Sequence, residues 1–331
     1  MSDLGDPHLT GVVREAFSAL AAEGPWPLAG VAAAGERSGT WLTEASASSS
    51  FHIGQVTKTF TGLLLAIMAT RGQVNLDDPV GRYLPSASGP GPTLAQLACH
   101  TSGYPRVPHS IQFRMMLRLR DPYSLVRDRH VDGAVRRLSR QAAGGPHPFR
   151  YSNFGYGVLG RALSAAGGLP FGELLAGEVL RPLGLAGVTL ETAPDPGRHR
   201  LFGHNFSGEQ LEHWRNPALA GASSLFSTVE GMRRYLLVNI HAEKTPLRVP
   251  LQLAQEPRAQ AEPGLQASLG WLVSDTGAGP LHWHNGGAAG FGSFIGFDTA
   301  RKVGVAVLLA RRHGPDLDEA ARTALAVLAA A

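Results

Sequence analysis

Apolar positions recur at helical spacing over residues 10–22, which predicts an amphipathic helix near the N-terminus. Two short apolar runs follow, Leu28 to Ala34 and Thr40 to Ala45, separated by Gly35-Glu36-Arg37-Ser38-Gly39. That pattern predicts a β-hairpin closed by a Gly- and Ser-containing turn. From Val56 to Thr70 the chain is strongly apolar, broken only by Gly62, and it stops at Arg71-Gly72. The expectation is a buried helix ended by a glycine. Residues 80–255 read as helical and loop-rich. The pattern then changes: Ser268 to Ser274, Leu281 to His284, Ser293 to Phe297 and Val303 to Leu309 predict successive strands, and Asp316 to Ala330 a closing amphipathic helix.

Strands near both chain ends with helices between them predict an α+β or α/β layer built from residues 1–80 and 256–331. A mostly helical lobe, residues 81–255, is inserted into it, giving one compact unit. The chain of 331 residues, 44% hydrophobic, can bury a large core. The 41 Gly and 23 Pro follow no period, which excludes collagen-like and disordered chains. No run of about 18 apolar residues is uninterrupted, so no membrane span and no membrane partner are expected. The first residues, Met1 to Asp6, lack the basic start and apolar stretch of a secretory signal. With Cys99 as the sole cysteine, the chain cannot form an internal disulfide, and the expected location is the cytoplasm.

The net charge of +4 is modest. Only three of the 30 basic residues are lysines, Lys58, Lys244 and Lys302, and lysine, unlike arginine, can release its proton to act as a base. Eight arginines lie between Arg114 and Arg140, against Asp121, Asp128 and Asp132. Such a run usually forms a solvated helical face; its functional reading is a site for an acyl carrier or a coenzyme A thioester. A nucleic-acid partner is not expected, because interleaved aromatic residues are lacking. His282 and His284 alternate about Trp283 and so share one face of a strand. No third ligand stands at metal-site spacing nearby, and no metal is expected.

The chemistry concentrates in Phe51-His52-Ile53-Gly54-Gln55-Val56-Thr57-Lys58-Thr59-Phe60. Four further stretches accompany it: Leu76 to Pro85 (Leu-Asp-Asp-Pro-Val-Gly-Arg-Tyr-Leu-Pro), Leu97 to Gly103 (Leu-Ala-Cys-His-Thr-Ser-Gly), Tyr151-Ser152-Asn153, and His284-Asn285-Gly286-Gly287-Ala288-Ala289-Gly290-Phe291. In this order, over about residues 25 to 310, they resemble the serine β-lactamases, D,D-peptidases and related esterases of the class C-like branch. Pro217 to Thr228 matches those esterases more loosely. The resemblance implies a β-lactamase/transpeptidase-like fold, an antiparallel sheet flanked by the terminal helices, and no cofactor. It also implies that Lys58 and Tyr151 share general-base work, that Asn153 orients Lys58 and a substrate amide, and that His284 flanks the cleft. Gly286 and Gly287 would border the substrate, with the N–H groups of residues 55 and 287 as oxyanion donors.

In that family a serine stands three residues before the lysine; here the position holds Gln55. A carboxamide is not a nucleophile at neutral pH, and its length carries it into the space of a substrate carbonyl. The leading expectation is therefore an enzyme acting on a small molecule without an acyl-serine, in a biosynthetic cyclisation, elimination, isomerisation or acyl transfer driven by Lys58 and Tyr151. The alternatives are an inactive pseudo-hydrolase that binds a ligand or protein in the cleft, and a hydrolase or transesterase with an engineered Gln55.

Overall fold

The computed structural model describes residues 2–117, 121–142, 145–190, 199–276 and 279–331. Its centre is a nine-stranded sheet in which every neighbouring pair runs antiparallel. From one edge to the other the strands are Ser2–Gly5, Arg37–Thr43, Leu28–Ala34, Val303–Leu309, Phe291–Asp298, Pro280–Ala288, Leu272–Asp275, Leu265–Ala267 and Ala259–Glu262. The two chain ends meet where Val303–Leu309 pairs with Leu28–Ala34.

Val303–Leu309 shows why this layer is stable. All seven residues are buried, so the sheet is covered on both faces. Val303, Val305, Val307 and Leu309 pack with Leu9, Val13 and Phe17 of helix Pro7–Ala22 and Leu317, Leu325 and Leu328 of helix Pro315–Ala330. Ala306 and Leu308, on the opposite face by the two-residue period, join the inner core with Phe60, Leu63, Leu64 and Leu236.

The inner core is filled by helix Thr57–Thr70, of which twelve residues are buried, and by helix Val229–Ile240. Gly62 lies where a Cβ would sit 1.9 Å from the Leu269 carbonyl oxygen, so its absence of a side chain sets the helix-to-turn distance. The inserted lobe contains Leu94–Ala98, His109–Met116, Asp128–Gln141 and Asn153–Gly167. A small second sheet places Ser49–His52 between Leu225–Thr228 and His199–Arg200 and delivers the chain into the Gly54–Val56 turn.

Strands Ser2–Gly5, Ala259–Glu262 and Leu265–Ala267 are not expected from the sequence, and two turns also differ from the expectation. Ser268 to Ser274 is not one strand: the Ser268 N–H donates to the Trp271 carbonyl at 2.9 Å, and Gly270, at φ +96°, turns the chain between Leu265–Ala267 and Leu272–Asp275. The first hairpin turns tightly at Gly35 and Glu36, so its second strand begins at Arg37 rather than Thr40.

Candidate active site

Strand Ser49–His52 ends at a 3₁₀ turn, Gly54–Val56, that carries Gln55, and helix Thr57–Thr70 follows at once with Lys58 in its first turn. Gly54 adopts φ +51°, and a Cβ there would lie 2.7 Å from the Gly287 nitrogen. The turn is thus pressed against the Gly286–Gly287 backbone. His52 Nδ1 accepts the Gly54 N–H at 3.0 Å, and Ser293 Oγ donates to the Ile53 carbonyl at 2.9 Å. These bonds fix the turn from both sides.

Gln55 reaches across to strand Pro280–Ala288, where its Oε1 accepts the Gly287 N–H at 2.7 Å. The backbone donor expected for an oxyanion is present, but the protein's own carboxamide oxygen occupies it. The Gly287 donor is thus filled by the Gln55 side chain, in keeping with the length that carries the carboxamide toward the substrate-carbonyl space.

Lys58 is completely buried. Its Nζ donates to Asn153 Oδ1 at 2.8 Å and to the Ala222 carbonyl at 3.3 Å, and it lies 4.9 Å from the centroid of the Tyr151 ring. No carboxylate partners it among the described residues. Burial lowers its pKa well below the usual lysine value, and the charge of Arg106 acts in the same direction. Burial pushes the Tyr151 phenol up, so the tyrosine is a neutral donor. Asn153 sits at the start of helix Asn153–Gly167, whose cap is Ser152: Ser152 Oγ accepts the Gly155 N–H at 2.8 Å and donates to the Pro105 carbonyl at 2.7 Å.

His284 is buried, its ring 6.2 Å from that of Tyr151. Its Nδ1 lies 2.5 Å from the Asn285 carbonyl, which can only accept, so Nδ1 carries the proton and Nε2 keeps its lone pair. Burial, followed by the neighbouring Lys58, lowers its pKa to about 3. His282 is engaged elsewhere: its ring stacks on Phe297, and Nε2 donates to the Gln255 carbonyl at 2.9 Å. Among the described residues no group of three His, Cys, Asp or Glu side chains could hold a metal.

The cleft has a volume of about 770 Å³. Gln55, Tyr151, Gly286 and Gly287 line it, while Lys58, Asn153 and His284 stand behind that lining. Thr57 and Thr59 face away: Thr57 Oγ1 accepts the Leu225 N–H, and Thr59 Oγ1 bonds the Val56 carbonyl and the Tyr235 hydroxyl.

Sequence reasoning missed three contributors. Arg106 lines the cleft, its guanidinium 5.5 Å from the centroid of the Tyr151 ring. His313 also lines the cleft and pairs with Asp318 at 2.9 Å. His100, buried at φ +61°, accepts the Ser152 N–H on Nδ1 at 3.0 Å and sets its ring 4.5 Å from Tyr151. The motif around His100 carried a signal, but only as a structural signature. The arginine run lies elsewhere. Arg127, Arg129, Arg136, Arg137 and Arg140 are exposed and Arg114 is half-buried. None of these lines the cleft, and Arg118 and Arg120 fall outside the described residues.

No helix among the described residues is long and apolar enough to cross a membrane. Residues 17–330 match the family model described as Beta-lactamase. The chain is 26% identical over 305 residues to a β-lactamase of Escherichia coli K12, covering 80% of this chain and 76% of that protein. It is 24% identical over 300 residues to a β-lactamase of Lysobacter lactamgenus, covering 80% and 74%. To the D-alanyl-D-alanine-carboxypeptidase/endopeptidase AmpH of E. coli K12 it is 26% identical over 282 residues, covering 78% and 70%. The antiparallel sheet between terminal helices, the inserted helical lobe and the match over nearly the whole chain lead to one assignment: the chain belongs to the β-lactamase family and has the β-lactamase/transpeptidase-like fold.

Proposed function

We propose that this protein works on a small molecule by proton transfer, without forming an acyl-serine. Gln55 stands in the place of the family's nucleophile, and Lys58 and Tyr151 are the acid–base pair. The observation that carries this reading is the setting of Lys58: a completely buried amine with no carboxylate partner among the described residues, held to Asn153 Oδ1 at 2.8 Å. Burying an unpaired ammonium is costly, so the neutral amine is the favoured form, and a neutral amine beside a neutral phenol is a competent base and acid. His284, with its lone pair on Nε2, would complete the proton-handling set.

The Gln55–Gly287 hydrogen bond narrows the reaction class. A step that builds negative charge on a carbonyl oxygen in the usual hole must first displace the carboxamide. Cyclisation, elimination and isomerisation, which need proton transfer more than an acyl oxyanion, fit the site better than acyl transfer. The same bond favours a second reading, a pseudo-hydrolase that binds its ligand without turnover, since the Gly287 donor is satisfied by the chain's own Gln55 carboxamide.

Lysine-selective labelling tests the proposal without a known substrate, because the chain has only Lys58, Lys244 and Lys302. Side-chain NMR is expected to show one amine titrating far below the other two, and that signal should vanish in Lys58→Met. If all three titrate together, Lys58 is not the base.

A further inference from the structure

The Gly287 N–H can only donate, so the Gln55 atom facing it at 2.7 Å must be the oxygen. The Gln55 nitrogen is thereby turned the other way. It makes no hydrogen bond with any described residue, and Gln55 lines the cleft. The cleft therefore presents two N–H bonds at the point where a hydrolase would present a hydroxyl.

The charged side chains that line the cleft among the described residues have one sign. Arg106 and Arg312 both line the cleft, and neither forms an ion pair with a described carboxylate; their guanidinium groups lie instead 5.5 Å from the Tyr151 ring and 5.7 Å from the Phe206 ring. No Asp or Glu is among the described residues lining the cleft. Asp318, which contacts two of the lining residues, is held by His313 and by Asn285 Nδ2 at 2.6 Å. Leu211, Trp214 and Phe291 add apolar lining to the same cleft.

We infer that the cleft binds a small organic anion, whose charged oxygens are received by Gln55 Nε2–H and Arg106 beside the Tyr151 hydroxyl, with its apolar body against Trp214 and Phe291. This places a ground-state negative charge at the position of the missing nucleophile, a position where a reactive serine would be attacking a neutral carbonyl. Gln55 is then a specificity-determining residue: Oε1 closes the Gly287 donor, and Nε2 reads the ligand. The inference rests on the cleft being the working site of the proposed function.

The test titrates the native full chain with phenylacetate, phenyl phosphate and neutral methyl phenylacetate, following the Gln55 side-chain NH₂ signal by NMR. At least one of the two anions is expected to shift that signal in the millimolar range while the ester does not; which anion binds tighter distinguishes a carboxylate from a phosphate ligand. Gln55→Glu keeps an oxygen for Gly287 but replaces the donor with an acceptor, and Arg106→Gln removes the charge. Each should weaken anion binding by roughly tenfold or more, the scale of a lost charge-assisted hydrogen bond. Equal binding of ester and anions, no shift with either anion, or unchanged anion affinity in both variants would overturn the inference. The lysine titration is read without ligand on a different residue, so the two proposals fail independently.

Discussion

Replacing Lys58 by methionine probes the charge state of the buried amine through stability. Lysine is unfolded-state protonated up to about pH 10.4. In the folded protein burial lowers the pKa of Lys58 well below that value. Between the folded pKa and about pH 10.4 the unfolded chain therefore binds more protons, and stability rises with pH. One proton difference changes unfolding free energy by about 1.4 kcal/mol per pH unit, so on the alkaline side, between the folded pKa and about pH 10.4, the native protein should gain stability relative to Lys58→Met at up to that slope. Lys244 and Lys302 are present in both proteins and cancel. The substitution also strips Asn153 Oδ1 and the Ala222 carbonyl of a donor, a loss of about 1–3 kcal/mol per buried acceptor that is nearly independent of pH. The readout is thus the difference in slope, not in absolute stability, from urea titrations of the two proteins across this pH range. Parallel stability curves would show that Lys58 stays protonated in the fold, and the general-base reasoning would fail.

The opposite pH range tests His284. With its folded pKa lowered to about 3, the unfolded chain binds the extra proton between about pH 6.5 and pH 3, so its contribution to stability falls as the solution is acidified. His284→Gln should be less acid-sensitive than the native protein in denaturant titrations by up to about 1.4 kcal/mol per pH unit; an unchanged acid slope would mean that the ring is not buried neutral. Gly62→Ala, a change that ordinarily favours a helix by about 1 kcal/mol, should instead destabilise by about 1–3 kcal/mol, because its Cβ meets the Leu269 carbonyl at 1.9 Å. A raised melting temperature would refute that packing. Ser152→Ala removes the cap of helix Asn153–Gly167 and should cost about 1 kcal/mol in thermal unfolding, while stability equal to native would show that the cap is replaceable.

What the sequence made legible was whatever depends on short-range pattern. Val303–Leu309 is a seven-residue apolar run in sequence and a fully buried central strand in the fold, and helix Thr57–Thr70 follows the apolar stretch to its last residue. The pairing of Gln55 with Lys58 needs only their spacing. The break at Ser268 to Trp271 escaped detection because one glycine reverses the chain inside an otherwise apolar run. Strand Ser2–Gly5 has four residues and no apolar alternation, so it owes its strand state to pairing with Arg37–Thr43. Arg106 and His313 reach the cleft by tertiary packing and carry no local signature. The Gln55–Gly287 bond joins residues 232 positions apart, and its geometry follows from the Gly54 turn lying against Gly286 and Gly287. Motif spacing names both residues; only the fold shows that one fills the other's donor.

The central claim is that no acyl-enzyme forms on this chain. Intact-mass measurement of the native protein after incubation with benzylpenicillin, and separately with a fluorophosphonate, addresses it directly, with Gln55→Ser as the comparison. The account predicts an unmodified mass for the native protein under both treatments. A stable single adduct on the native chain, mapped to a cleft residue, would contradict it.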